Sequence, residues 1–341
     1  LTATVDAQEH NMTYTRAAAF APINIALVKY WGKRDDELNL PAASSISVTL
    51  AELGSLTVVA PEESLEANIM ALNDKPLQGP GLLRVARVMR AIRELADTEV
   101  RAGIRSVNTV PTAQGLASSS SAFASLAKAA AAAYGLDADD ETLSRIARLG
   151  SGSASRSVHG GWVEWRRGVR DDGLDSVAGL VQPPEHWPLR ALVCHVDVGQ
   201  KKISSTEGMR WTRETSPYYD GWLKRCRQDY DHCKVAIADR DFRLLADIVE
   251  ANCLAMHAVM MATEPPLIYW QPATLAIIHA VRSLRAQGAE CLFTIDAGPS
   301  VVVLCSARDV RMVAAELGRL EGIAVTTQTR ISGGAHLVPN G

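Results

Sequence analysis

The chain has 341 residues, 47% hydrophobic and 21% charged, with a formal net charge of −3. That length favours two domains, and the composition is that of an ordinary globular protein. The charge gives no hold on nucleic acid or an anionic membrane, so neither is expected as a partner and any anion site has to be built locally. The six cysteines (Cys194, Cys226, Cys233, Cys253, Cys291 and Cys305) form no CxxC pair. They read as reduced thiols of a cytoplasmic protein. The apolar run Ala129 to Ala133 falls far short of the ~20 residues a membrane span needs.

In chain order, residues 1–14 read as a disordered lead without an apolar signal region. TYTRAAAFAPINIALVKYW predicts a strand that turns at Pro22 and continues through Ile23 to Tyr30. SSISVTLAELGSLTVVAP predicts two strands joined near Glu52–Gly54. Leu83, Val85, Val88, Met89 and Ile92 recur at helical spacing. VRAGIRSVNTVP alternates as a strand ending at Pro111. A helix is expected over 122–134, closed by Gly135, and another after Asp139 or Asp140, ending at Gly150. GGWVEW reads as a strand. Three prolines in VQPPEHWPLR mark a boundary between domains at 15–187 and 188–341. Beyond it come a strand at ALVCHVDVG, helices through Trp222–Cys233 and Leu244–Met261, and a helix at TLAIIHAVRSLRAQG. A strand pair around Ala297–Pro299, a helix at RDVRMVAAELGRL and a last strand at IAVTTQTRIS follow. Strands and helices mix without strict alternation, so the fold class is α+β.

Four stretches can carry chemistry. GLASSSSAFASLAKAAAAAYG runs four serines straight into an alanine-rich helix. Unpaired N–H groups at a helix start, beside small residues, suit a phosphate. A merely capped helix fits equally, and the run is not a Walker loop. Lys29 and Lys33 flank an aromatic pair in NIALVKYWGKRDD, as a basic loop or an anion site. Arg156, among the glycines and serines of GSGSASRS, suits a carboxylate or phosphate if it is not a surface turn. Asp296 follows an apolar strand in TIDAGPS, as a turn residue or a functional carboxylate. His159 has no cluster of companions, so no metal site is expected.

Together NIALVKYWGKRD, LPAASSISVTL, PTAQGLASSSSAFASLA, GSGSASRS with GGWVEW, SSTEGMRWTRETSP and TIDAGP resemble the diphosphomevalonate decarboxylases of the GHMP kinase superfamily. The resemblance runs in order from about Ala21 to the C-terminus. It implies a two-domain fold, with an N-terminal domain like ribosomal protein S5 domain 2 and a ferredoxin-like C-terminal domain. It also implies ATP and Mg²⁺, a phosphorylated mevalonate, a cleft site and a homodimer. Asp296, Arg156 and Lys33 would form the catalytic set. Asn24, Tyr30, Lys33, Arg84, Ser153, Arg156, Ser205 and Thr206 would bind the substrate. Pro111, Gly115, Leu116 and Ala117, followed by Ser118, Ser119, Ser120 and Ser121, would hold ATP. The chain departs from the family pattern at Ala42 or Ala43, Ser155, His159 and Ser300, which touches the choice of substrate. Mevalonate 5-diphosphate is the expected substrate and mevalonate 5-phosphate the alternative. A 3-kinase or a non-catalytic sensor stands further off, because the phosphate loop and Asp296 are intact.

Overall fold

A computed structural model describes residues 14–109, 118–196 and 203–339. The first half builds β1 (Ala17–Val28), β2 (Lys33–Asp35), β3 (Leu40–Pro41), β4 (Ser45–Glu62), β5 (Ile69–Leu72), β6 (Lys75–Pro76), α1 (Pro80–Leu95) and β7 (Arg101–Asn108). Next come α2 (Ser118–Ala133), α3 (Asp140–Gly150), α4 (Ala154–Ser157), β8 (Trp162–Trp165) and β9 (Ala178–Gln182). The second half builds β10 (Arg190–Val196), α5 (Ser205–Thr215), α6 (Tyr219–Asp239), α7 (Phe242–Met261), α8 (Pro272–Ala286) and β11 (Cys291–Ile295). It closes with β12 (Val301–Cys305), α9 (Val310–Leu317), β13 (Ile323–Arg330) and β14 (His336–Leu337).

Among the described residues, one sheet runs β14-β1-β4-β7-β5-β6, with β8 added on β4 and β9 on β8, and another runs β11-β12-β10-β13. The first sheet carries α1 to α4 over a core that includes Val59, Val88, Met89, Phe123 and Leu126. The second carries α8 and α9 over Ile277, Phe293 and Val313. A further core runs between them and joins Ile23, Ile25 and Leu27 to Leu245, Val249, Leu292 and Val302. The ends of β1 and β11 are thereby brought together. The chain's last strand, β14, returns to pair with β1.

The local rules account for most elements. Val85, Val88, Met89 and Ile92 form the buried stripe of α1, whereas Leu83 is 66% exposed and lies off it. Asp139 caps α3 by accepting the Thr142 N–H at 2.8 Å. Gly135 follows α2 at φ +70°, where glycine is favoured. α7 is the one described helix long and apolar enough to cross a membrane, yet it packs against α6, β1 and β11.

The β1–β4 ladder holds a surprise. The sequence predicts two strands over 45–62, but β4 is one strand with an irregularity inside it. Pairing jumps from Pro22–Gly54 to Ile23–Leu50, and Glu52 takes φ +66°. Such a bulge re-aims side chains. Ala19 and Ala21 face the core under α1 to α3, while Ile23 and Ile25 face the core shared with the second sheet. Asn24 is thereby turned toward α4, where its side chain bonds Ser157 Oγ at 2.8 Å.

Candidate active site

Where β1 ends, Lys29 is 1% exposed, yet its ammonium lies 2.6 Å from Asp296 Oδ1. Asp296 stands just beyond β11 and keeps 28% of its side chain open. A buried cation is thus matched by a half-open carboxylate that a ligand can reach. Burying a lysine without a partner would cost several kcal/mol, so the pair belongs together. Lys33, the lysine expected beside Asp296, is elsewhere. Its Nζ donates to Asn39 Oδ1 at 2.7 Å and sits 3.9 Å from Asp36. Both lysines flank the same aromatic pair, and their spacing alone does not separate them. The strand's direction into the shared core does.

Arg156, on the short helix α4, is 2% exposed. Its Nε donates to Asn24 Oδ1 at 3.2 Å and its Nη1 to Ser45 Oγ at 2.6 Å. The guanidinium lies over the Trp165 ring at 5.8 Å. Burial lowers its pKa to about 10, partly offset by the charge of Asp296, so it is cationic at neutral pH. Its Nη2 takes no part in these bonds and remains for a ligand. Asn24, expected against the substrate, has a different place. It donates to the Ser153 carbonyl at 3.0 Å and to Ser157 while accepting from Arg156. All its polar atoms are engaged, so it is a strut for Arg156 and α4.

A row of hydroxyls leads away from this set. Ser153 lies 3.4 Å from Ser151, and Ser151 lies 3.3 Å from Ser119. The four serines form the first turn of α2, not a loop before it. Ser118 and Ser119 are half-buried, whereas Ser120 and Ser121 are fully buried. Ser121 Oγ pairs with Ser55 Oγ at 2.8 Å, so its hydroxyl holds α2 to the sheet and is not offered to a nucleotide. Pro111, Gly115, Leu116 and Ala117 lie outside the described residues. We expect Ser119→Leu to weaken ATP binding and turnover together, because a branched side chain there blocks close approach to the helix start. Isothermal titration with an ATP analogue and a turnover assay check this. Leucine at Ser120 would instead overpack the core and unfold the protein before it reported on ATP.

On the other side lies a group of cations. Burial lowers the pKa of Lys33, and the charges of Arg84, Arg87 and Arg213 lower it further against the opposing effect of Asp36. An anion placed there would relieve this repulsion. Arg84 also rests over the Phe123 ring at 5.2 Å. Tyr30 meets Trp165 edge-on at 4.8 Å, and its buried hydroxyl has no partner among the described residues. Gly152 belongs beneath it, since a Cβ there would stand 2.6 Å from that hydroxyl. Ser205 and Thr206 are exposed at the start of α5. That helix is held to the loop after β1 by Trp31 Nε1, which donates to Thr212 Oγ1 at 2.9 Å, and by Arg213, which donates to the Lys33 carbonyl at 3.1 Å. Ser45, Arg87 and Arg213 were not singled out by sequence. No motif marks them, and only the fold brings them to the site.

Comparison with known proteins bears on this arrangement. A curated diphosphomevalonate decarboxylase of Candida albicans is 40% identical over 301 residues, 84% of this chain and 83% of that protein. The chain belongs to the diphosphomevalonate decarboxylase family. Residues 21–178 match the diphosphomevalonate decarboxylase-like N-terminal domain, and 191–335 the mevalonate 5-diphosphate decarboxylase C-terminal domain. The mevalonate diphosphate decarboxylase of Staphylococcus aureus superposes with a TM-score of 0.89 at 35% identity, over 96% of this chain and 98% of that one. A related structure holding MVAPP, AMPPCP and magnesium gives 0.88 at 37% identity, over 96% and 99%. This member of the decarboxylase family therefore has its two-domain GHMP kinase fold.

Proposed function

We propose that the protein converts mevalonate 5-diphosphate, with ATP, to isopentenyl diphosphate, ADP, phosphate and CO₂. The observation that carries this reading is the constellation Lys29–Asp296–Arg156, set between a hydroxyl row and a group of mutually repelling cations. It is supported by family membership and by the related complex that holds MVAPP, an ATP analogue and magnesium.

Each group has a task its chemistry suits. Lys33, Arg84, Arg87 and Arg213 attract the diphosphate, with Tyr30 as a hydrogen-bond donor. Arg156 presents its free N–H groups to the substrate carboxylate and fixes it beside the reacting carbon. Asp296 accepts the proton of the tertiary 3-hydroxyl while that oxygen takes the γ-phosphoryl group. Lys29 balances the carboxylate's charge and stands beside the transferring phosphoryl. The C3–O bond then breaks and phosphate departs with the electron pair. The C1–C2 electrons form the C2=C3 bond, and CO₂ leaves. The anionic groups beside C3 tolerate positive charge developing there.

The N-terminus of α2, with Ser118 and Ser119, faces the ATP phosphates in this reading. Among the described residues no group of three or more His, Cys, Asp or Glu side chains could hold a metal. Mg²⁺ would be held by the ATP phosphates beside the half-buried Ser118 and Ser119, where it would offset the charge of the transferring group. We place the domain division at 187/188, with β14 crossing back to the first sheet. A homodimer in the cytoplasm completes the reading on family resemblance, and light scattering checks the first part. With MgATP and mevalonate 5-diphosphate, the purified protein is expected to release ADP, phosphate and CO₂ in equal amounts. ADP without CO₂ would show a 3-kinase instead.

A further inference from the structure

Lys29 and Asp296 come from different sheets, so their separation depends on what ties the end of β1 to the end of β11. One helix grips both. From α7, Asn252 Oδ1 accepts the backbone N–H of Lys29 at 2.8 Å. One residue on, the Cys253 sulfur accepts the N–H of Ile295, the neighbour of Asp296, at 3.2 Å. A turn later, His257 Nε2 reaches the Ile295 carbonyl at 3.3 Å. Asn252, Cys253 and His257 are all buried, Asn252 and Cys253 completely.

Asn252 is itself held. Its Nδ2 donates to Asp229 Oδ2 at 2.8 Å, and both Asp229 oxygens accept from Arg225 Nε at 2.8 Å. Position 252 therefore needs an acceptor toward Lys29 and a donor toward a carboxylate, which an amide supplies and neither aspartate nor leucine does. Leucine would orphan the buried N–H of Lys29 and leave Asp229 Oδ2 with Arg225 as its remaining donor.

We propose that Asn252 is a positioning residue, which fixes the Lys29 backbone from α7 and so sets where the Lys29 ammonium meets Asp296. The inference rests on the decarboxylase reading above and extends it to residues that touch no substrate. If Asn252 only stabilised the fold, its replacement would lower the melting temperature and leave the turnover of folded protein alone. If it positions Lys29, folded protein turns over slowly while its binding surfaces are intact.

The test compares Asn252→Leu with the double swap Asn252→Asp, Asp229→Asn. In the swap the carboxylate accepts from Lys29 and the amide donates to it, so the tie to Lys29 and the bond between positions 229 and 252 are kept, while Arg225 Nε retains one of its two acceptors. With MgATP and mevalonate 5-diphosphate, Asn252→Leu is expected to lower kcat by about tenfold or more, with KM and ATP-analogue affinity within about twofold of the unsubstituted protein. The swap is expected to return kcat to within about threefold of that protein. A folded Asn252→Leu with undiminished kcat would overturn the proposal. Should that variant not fold, the swap carries the test alone, and a folded swap slowed about tenfold or more would overturn it. An unsubstituted protein that releases no CO₂ would instead sink the decarboxylase reading, and this inference with it.

Discussion

Replacing Asp296 with asparagine is expected to lower turnover by about 10²-fold or more, the low end of what a positioned acid–base group supplies. Size and most hydrogen bonding are kept, and the negative charge is lost. Substrate affinity should stay nearly constant, because the diphosphate end is held by other residues. ADP and CO₂ should fall together, since phosphorylation precedes loss of CO₂. The variant also leaves the buried Lys29 ammonium without its anion, so a lower melting temperature is expected beside the kinetic defect. Steady-state assays of both products, with a thermal melt, check this. Undiminished CO₂ release would remove Asp296 from the mechanism.

Arg156→Lys is expected to cost a comparable amount by another route. The charge is retained but the planar fork is not. One ammonium cannot hold Asn24 Oδ1 and Ser45 Oγ in the present geometry and also present a pair of N–H groups to a carboxylate. Misplacing the carboxylate by about 1 Å is enough for roughly a 10²-fold loss. ATP binding should persist, because the row from Ser153 to Ser119 leads away from the guanidinium. Parallel measurement of kcat and ATP-analogue affinity checks the split. Equal turnover in the two proteins would leave Arg156 a structural residue of α4.

Much of this was legible in the sequence where local rules decide. The stripe of α1, the Asp139 cap, the glycine after α2 and the β11–β12 pair all follow from spacing and turn chemistry. The errors sit where tertiary packing overrides the local signal. Ser118 to Ser121 look like a loop, yet they form a helical turn whose buried Ser121 hydroxyl bonds across to Ser55 of β4. The helix α5 has a weak apolar pattern, and its Thr212 and Gly208 are fixed by Trp31. The bulge at Glu52 is invisible to alternation, yet it turns Asn24 toward Arg156. The choice between Lys29 and Lys33 shows the limit most sharply. Their residue types and surroundings are alike in sequence, and only the meeting of two sheets gives Asp296 to Lys29. Asn252 gave no signal, because its partner is a backbone N–H distant in the chain.

The choice of substrate follows from the same geometry. Lys33 and Arg213 face Asp36, and Arg213 also faces Glu214, yet the charges of Arg84, Arg87 and Arg213 still act against Lys33, which suits a diphosphate more than a single phosphate. The most direct measurement is kcat/KM for CO₂ release with MgATP, taken in parallel on mevalonate 5-diphosphate and mevalonate 5-phosphate. CO₂ with an equal amount of ADP is expected, and a kcat/KM at least about tenfold higher for the diphosphate, the effect of roughly one lost charge-assisted contact. A preference for the monophosphate, or ADP formed from either compound without CO₂, would contradict this reading.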